Sequence, residues 1–458
     1  MPFKLLRSST WLLCTLCLVA TSGACSISKL TNPQPILVGQ GATSNTQRRA
    51  PNSLTFEKGA SFEGLFRGFA PNGESLVTQN QQQVHVFDID GTERSAHTGA
   101  AIAFAPNSEV MVVIKDEWFA PTEPTNPSTE LLTLDGDQLA SFPGFFAAFM
   151  PDGQQVIIYG GLADPVSRLL TFSGEELAAF EGKFYGLTPE QNGLITYSES
   201  EQKFQVFDFE GTQVVSFPAA RVEDVYPRLE FTPDGERVVI RTGASPGEMR
   251  SHIFERNGVE QATFPGIYQG VLAHNDGLIL IGYDADKPVS RLVRFDGEEL
   301  ASFKGGITAF TPDGKVITAD YNATHIYQAD GTEMTTLPGT FVTLTPDEPR
   351  IVTSVFGDGY LYDLEGTELS TYAGGYTEFW SEQQLVVTTS AFDEDLTRFY
   401  HIDGTEIASL PETFQPPYIA NFYVDLTGQY PEDFQPQFDD RVVTYSYEAN
   451  RTDVYFIK

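Results

Sequence analysis

The chain has 458 residues, with 62 Asp and Glu against 28 Lys and Arg, a formal charge of −34. Such a field repels nucleic acid and anionic membrane, favours basic partners or a cation atmosphere, and keeps a chain soluble in salty surroundings. The three cysteines are Cys14, Cys17 and Cys25, which excludes a disulfide framework or a Cys-based metal site from the rest of the chain.

Lys4 and Arg7 precede the apolar run from Trp11 to Ala20, followed by Ser22-Gly23-Ala24-Cys25. Positive charge, a short apolar segment and small residues before a cut make residues 1–24 a secretory signal, too short to span a bilayer as a helix. Its ending resembles a bacterial lipoprotein box. The resemblance implies Cys25 as the lipid-bearing first residue of an exported, membrane-anchored protein facing the periplasm or cell exterior. Ser-Gly-Ala also suits ordinary signal peptidase. Residues 25–53 are rich in Pro, Gln, Ser, Thr and Asn and hold no acid, the composition of a flexible tether. Five basic residues (Lys4, Arg7, Lys29, Arg48, Arg49) and no acids precede residue 54, which leaves 23 against 62, or −39, for residues 54–458.

From Phe56 to Lys458 one phrase recurs ten times. It begins with a turn such as Phe310-Thr311-Pro312-Asp313-Gly314 and passes through a β-rich run, Val316-Ile317-Thr318. It reaches a second turn at Asp330-Gly331 and closes on a coda such as Glu299-Leu300-Ala301-Ser302-Phe303-Lys304-Gly305. The second-turn glycines fall at 91, 136, 174, 211, 258, 297, 331, 366 and 404, the spacing of solenoid or propeller repeats. Asp-Gly there predicts a two-residue hairpin with φ > 0 at both central positions. Each unit supplies four strands: before the first turn, after it, into the second turn, and the coda. No sustained helical period appears.

A four-stranded sheet of this size cannot bury both faces alone, so copies must stack. Radial stacking predicts an all-β fold, a β-propeller whose coda residues Leu139, Leu177 and Leu300 and Phe142, Phe180 and Phe303 fill the space between blades. Phe56 to Gly64 reads as an isolated coda, and the tail ending Val454-Tyr455-Phe456-Ile457 has none. The N-terminal segment therefore supplies the missing strand of the last blade and removes an exposed edge. One ring of about ten blades over residues 54–458 follows, with two smaller propellers as the alternative.

The Phe-Thr-Pro-Asp-Gly phrase followed by a β-branched strand resembles the WD-repeat-like propeller repeats of bacterial periplasmic proteins. The resemblance covers residues 56 to 458 and implies a binding platform. The Trp-Asp dipeptide of eukaryotic WD repeats is absent.

Ala163-Asp164-Pro165-Val166-Ser167-Arg168-Leu169 recurs, with one insertion, from Ala285 to Leu292. The long glycine spacings of 45 and 47 residues each sit one unit before these copies, which reads as duplication of a three-blade block. The Asp88-Ile89-Asp90-Gly91 phrase reads as a hairpin rather than a calcium loop, which needs six to eight converging oxygens. Asp393-Glu394-Asp395 and Asp439-Asp440 are better isolated acids. Gly243-Ala244-Ser245-Pro246-Gly247 matches a nucleophile elbow by letters only, because that elbow needs a strand–turn–helix. The six histidines (85, 97, 252, 274, 325, 401) show no close ligand spacing.

The candidate contact residues are aromatic. An insertion from Phe414 to Phe438 carries Tyr418, Phe422, Tyr423, Tyr430 and Phe434, and contains no Lys or Arg. Trp118 stands in a second insertion. Aromatics held by prolines suit stacking on a glycan or gripping a partner chain. The expectation is a noncatalytic, lipid-anchored platform for an envelope protein or glycan, with no cofactor and no metal. Two alternatives stand beside it: a glycan- or lactone-directed hydrolase or lyase using acidic residues in the central channel, and a calcium-dependent adhesion module.

Overall fold

The computed structural model describes residues 54–457 apart from 72, 81–82, 107–109, 116–127, 162–163, 223–225, 244, 246–247, 272–276, 285–286, 346–348, 381–384, 391–395, 416–440 and 447. Forty strands form ten four-stranded antiparallel sheets, and no described residue is helical. The sheets are the blades of one propeller. Blade 1 runs in order through Leu65–Phe69, Ser75–Asn80, Gln83–Asp88 and Glu93–Thr98. Blades 2 to 9 repeat that order. Blade 10 takes Thr413–Gln415, Arg441–Ser446 and Arg451–Ile457 from the far end of the chain and β1 (Phe56–Glu63) from the near end. Phe56 pairs with Ile457 and Glu63 with Arg451, so the expected closure by the N-terminal strand is present and there is one ring.

In each blade the first strand is the axial edge and the coda the outer rim: alternate coda residues are exposed, while most first-strand residues are half to fully buried. Connections alternate between two ends of the ring. The Pro-Asp-Gly and Asp-Gly turns share one end, here the turn face. The loops between second and third strands, and the links from one blade to the next, share the other, here the linker face.

The second turn differs from the expected hairpin. Gly331 has φ +89 but Asp330 is not at positive φ. The Gly331 amide donates to the Gln328 carbonyl and the Gln328 amide to the Thr332 carbonyl. This is a type I turn completed by a left-handed glycine and a bulge, and the third-to-fourth-strand register slips by one residue just beyond it. That bulge also corrects the coda. Phe142, Phe180 and Phe303 are buried between blades as expected, but Leu139, Leu177 and Leu300 occupy the bulge and point to solvent at 40–45% exposure. The turn glycine has a second duty. A Cβ at Gly331 would lie 3.3 Å from the Ser302 carbonyl oxygen, and one at Gly404 3.2 Å from Ser370 Cβ, each in the preceding blade's coda.

Blades are joined by buried hydroxyls that sequence reading treated as ordinary strand residues. Thr129, Ser167, Ser251, Ser290, Thr324 and Thr397, on third strands, donate to the carbonyl fifteen residues ahead at 2.8–3.0 Å, in the link to the next blade. Thr353 and Thr388, on second strands of the following blades, reach the neighbouring link carbonyls at 2.8 Å. Thr452 does the same across the closure, to Gly64. An unpaired carbonyl in this packed region would carry its desolvation cost. Glycine at positive φ occupies most of these links, including Gly144, Gly266, Gly305 and Gly339. Glu412, in the link to blade 10, holds φ +86 in the same place.

Candidate functional site

The sequence-predicted contact residues Trp118, Tyr418, Phe422, Tyr423, Tyr430 and Phe434, and Cys25, lie outside the described residues, as do Asp393-Glu394-Asp395, Asp439-Asp440 and His274. Their anchors are informative. Segment 116–127 joins the second and third strands of blade 2, Val110–Lys115 and Ser128–Thr133, which end on the linker face. Segment 416–440 joins the first and second strands of blade 10, which end on the turn face. The two insertions are rooted at opposite ends of the ring.

Three of the histidines, His85, His252 and His325, belong to a pattern missed by asking only for close spacing. A His or Arg on the third strand and a Glu on the fourth, eight residues apart, pair in blade after blade: His85–Glu93 at 2.8 Å, His252–Glu260 at 3.0 Å, His325–Glu333 at 3.3 Å, Arg168–Glu176 at 3.3 Å and Arg291–Glu299 at 3.5 Å. These are cross-strand partners in the outer half of each blade. Arg168 also meets Asp164 at 2.8 Å; Asp286, the equivalent in the second copy, is outside the described residues. Ser245 donates to Glu248 at 2.9 Å in an exposed loop after the strand Arg237–Thr242, a setting without the elbow's helix. Asp88 and Asp90 serve the hairpin: the Gly91 amide donates to the Asp88 carbonyl and the Thr92 amide to Asp90 Oδ1. Among the described residues no group of His, Cys, Asp or Glu is arranged to hold a metal ion.

Charge is sorted by radius. First strands carry Glu230 and Glu378 against Arg67, Lys183 and Arg228, whereas the ten outer strands carry ten Glu against three bases. The first strands are therefore near charge balance rather than acidic, and among the described residues no histidine stands on one.

The linker face is where the described surface departs from fold requirements. Among the described residues five aromatic side chains are exposed, and four lie on this face in consecutive blades: Tyr226 in the link entering blade 5, Tyr283 at the end of the second strand of blade 6, Tyr321 in the blade 7 loop and Phe356 in the blade 8 loop. Phe310, on the turn face, is the fifth. Phe356 is the extreme case. Val355 pairs with Asp358, leaving Phe356 and Gly357 as a two-residue turn with φ of +51 and +94. A bulky residue at positive φ is a strained choice where Asn or Gly serves at lower cost. Its ring is 103% exposed, so the fold gains nothing from it.

Tyr321, 82% exposed, is presented by a turn built on Asp320. Asp320 Oδ1 accepts the amides of Asn322 and Ala323, both at 2.9 Å. Burial works to raise the Asp320 pKa, but those amides and His325 outweigh it and hold the carboxyl below its usual value. Tyr226 is fixed from two sides: Arg221 stacks 4.3 Å from its ring centre, and its hydroxyl donates to Glu199 at 2.8 Å. The flanking charges are Glu199, Asp284, Asp320 and Asp358 against Arg221 and Lys287, so the arc is aromatic with a net acidic rim. A Val-Phe-Gly-Asp run with a turn glycine but an aromatic in the left-handed position was the available sequence signal.

No family model matches the chain, and no curated protein matches it. Solved structures do. One is a eukaryotic initiation factor at 11% identity, covering 75% of this chain and 86% of that one, with a TM-score of 0.39. Another is the Dos1 propeller at 9% identity, 88% and 95% coverage and a TM-score of 0.37. TolB from Acinetobacter baumannii aligns at 14% identity over 51% and 61% of the two chains, with a TM-score of 0.25.

Proposed function

We propose that this propeller is a noncatalytic binding platform, exported and lipid-anchored through Cys25, that grips an envelope partner with the aromatic arc of its linker face. The observation that carries the reading is Phe356, a fully exposed ring held on a strained turn beside three further exposed aromatics. Rigid aromatic anchors ringed by polar groups are the usual energetic centres of an interface. The flanking carboxylates and the net charge favour a basic partner surface.

Chain direction supports the anchoring. β1 begins at Phe56 on the turn face and ends at Glu63 on the linker face. A tether that precedes Phe56 enters the ring at the end opposite the arc, so a lipid at Cys25 and a partner on the arc need not compete for the same face.

The test is site-specific photocrosslinking from the exposed position 322, next to Tyr321 on the linker face, in native envelopes. One defined adduct is expected, lost when Tyr321 and Phe356 are both changed to Ser and kept when the outer-rim Leu139 is changed to Ser. Adducts indifferent to the double change, or equal adducts from a crosslinker on the turn face, would sink the proposal. Cys25→Ser should release the protein from membranes without changing affinity in solution.

A further inference from the structure

The axial wall of blade 5 holds a polar cluster that neither the fold nor the arc explains. Arg228 opens its first strand (Arg228–Phe231) and stands directly opposite Arg241 in the neighbouring strand. Like charges so placed repel. Arg241 is only 16% exposed and pairs with Glu230, yet its Nε–H is buried without a hydrogen-bond partner. Arg228 is exposed and makes no hydrogen bond or ion pair among the described residues.

Two phenols from adjacent blades complete the group. Tyr185, on the first strand of blade 4, accepts the Leu229 amide at 2.9 Å and keeps its own O–H proton to donate. Tyr268, on the first strand of blade 6, makes no hydrogen bond with its hydroxyl among the described residues, and the charges of Glu230, Arg241 and Asp234 act on it. Asp234 is engaged elsewhere, by Thr232 at 2.6 Å and Arg237 at 3.8 Å.

The cluster is donor-rich: two guanidiniums and two hydroxyls face a single acceptor side chain, Glu230, and one positive charge is left over. We propose that this wall binds a carboxylate, with Arg228 and the Arg241 Nε–H as charged donors and Tyr185 and Tyr268 as neutral ones. A guanidinium matches a carboxylate in two-point geometry. One surplus charge suits a monoanionic group better than a phosphate dianion, which would crowd Glu230. The distant acids of the outer strands lie beyond the screening length of about 8 Å at physiological salt.

Glu230 tunes the site. Burial raises its pKa, while Arg241 and Arg228 oppose the rise. As pH falls Glu230 is neutralised ahead of an ordinary glutamate, which frees Arg241 and tightens carboxylate binding, provided the ligand itself stays ionised.

The experiment titrates the full-length protein with sodium propionate, and separately with a short peptide bearing a free C-terminus or its C-terminal amide. Ionic strength is matched with sodium chloride, and melting temperature is the readout. Carboxylate-specific stabilisation is expected. Arg228→Met, at an exposed position, should melt like wild type without ligand and bind roughly tenfold more weakly. Glu230→Gln should bind more tightly, a gain that misfolding cannot mimic. Protection by propionate identifies a small acid as the source; protection by the free-ended peptide, at least tenfold stronger than by its amide, identifies a chain end. Curves that match chloride, or affinity unchanged in Arg228→Met, overturn the assignment. Loss of the arc in Tyr321→Ser/Phe356→Ser should leave this binding intact, so the two sites fail independently.

Discussion

His97 occupies the place in blade 1's coda that phenylalanine holds in blades 2 to 6, and its Nε2 is buried without a hydrogen-bond partner. Its ring lies over Gly136, with Cε1 3.1 Å from where a Cβ would sit. In blade 2 Phe142 rests over Gly174 in the same way, at 3.7 Å, so the niche accepts phenylalanine. An unsatisfied buried nitrogen costs about 1–3 kcal/mol. Allowing for a tighter fit over Gly136, His97→Phe is expected to stabilise the protein by about 1–2 kcal/mol at pH 7, a rise of roughly 1–3 °C in melting temperature for a chain of this size. Burial lowers the His97 pKa; Glu130 opposes the shift and Lys115 adds to it. A base whose pKa falls on folding binds protons more readily when unfolded, so its stability contribution is intact above about pH 6.5 and lost below it. The advantage of His97→Phe should therefore widen between pH 7 and pH 5 in urea melts. A lower melting temperature, or a gap that does not grow in acid, refutes the reasoning.

Three further perturbations test the joints between blades. Glu412→Gly relieves a positive φ and removes a buried carboxylate whose pKa is raised by burial, with Thr444 opposing and Asp453 adding; against this stand its lost contacts with Thr444 at 2.7 Å and Arg451 at 2.8 Å, so melts at pH 7 should show a gain of only about 1 kcal/mol. That gain should shrink toward pH 4, because a carboxyl with a raised folded pKa destabilises least once protonated. Thr324→Val deletes the hydroxyl that reaches the Gly339 carbonyl at 3.0 Å and should cost about 1–3 kcal/mol by denaturant titration. Asp453 is wholly buried between Lys58 at 2.6 Å and Arg451 at 2.9 Å. Burial alone would raise its pKa, but Arg451, Lys58 and Ser61 bring it below the usual aspartate value. Its stabilisation is therefore present at neutral pH and lost as pH falls below about 4, and Asp453→Asn should cost about 3 kcal/mol at pH 7 with a flatter acid limb.

The architecture was readable because its determinants are local. Pro-Asp-Gly and Asp-Gly fix turns by backbone geometry, and their spacing counts blades without any knowledge of contacts. The stray coda at Phe56 even disclosed how the ring shuts. What stayed hidden depends on neighbours. Thr324 and Thr353 look like common β-branched residues, and only the meeting of two blades makes them donors to Gly339 and Pro338. The eight-residue interval from His325 to Glu333 was present but looks polar and ordinary until the third and fourth strands lie side by side. Leu139, Leu177 and Leu300 were misjudged because a bulge inverts the face that simple alternation assigns. For the functional surface the sequence pointed to long aromatic insertions, whereas the described arc is made of single residues in short loops. Phe356 carried a signal only in the mismatch between its bulk and its turn.

Closure of the ring sets the order in which it can be made. Thr452 and Gly64, joined by one hydrogen bond, are 388 residues apart, and no other seam spans a comparable stretch of chain. Nine blades use only neighbouring sequence and can condense as they appear. The tenth must wait, with Phe62 and its flanking blades unsealed, until the last strands arrive. Loop entropy grows only with the logarithm of length, so this delay is kinetic more than energetic. A chain threaded through a membrane from its N-terminus would carry that open seam throughout its passage, and would become a closed ring only after Arg451–Ile457 had crossed.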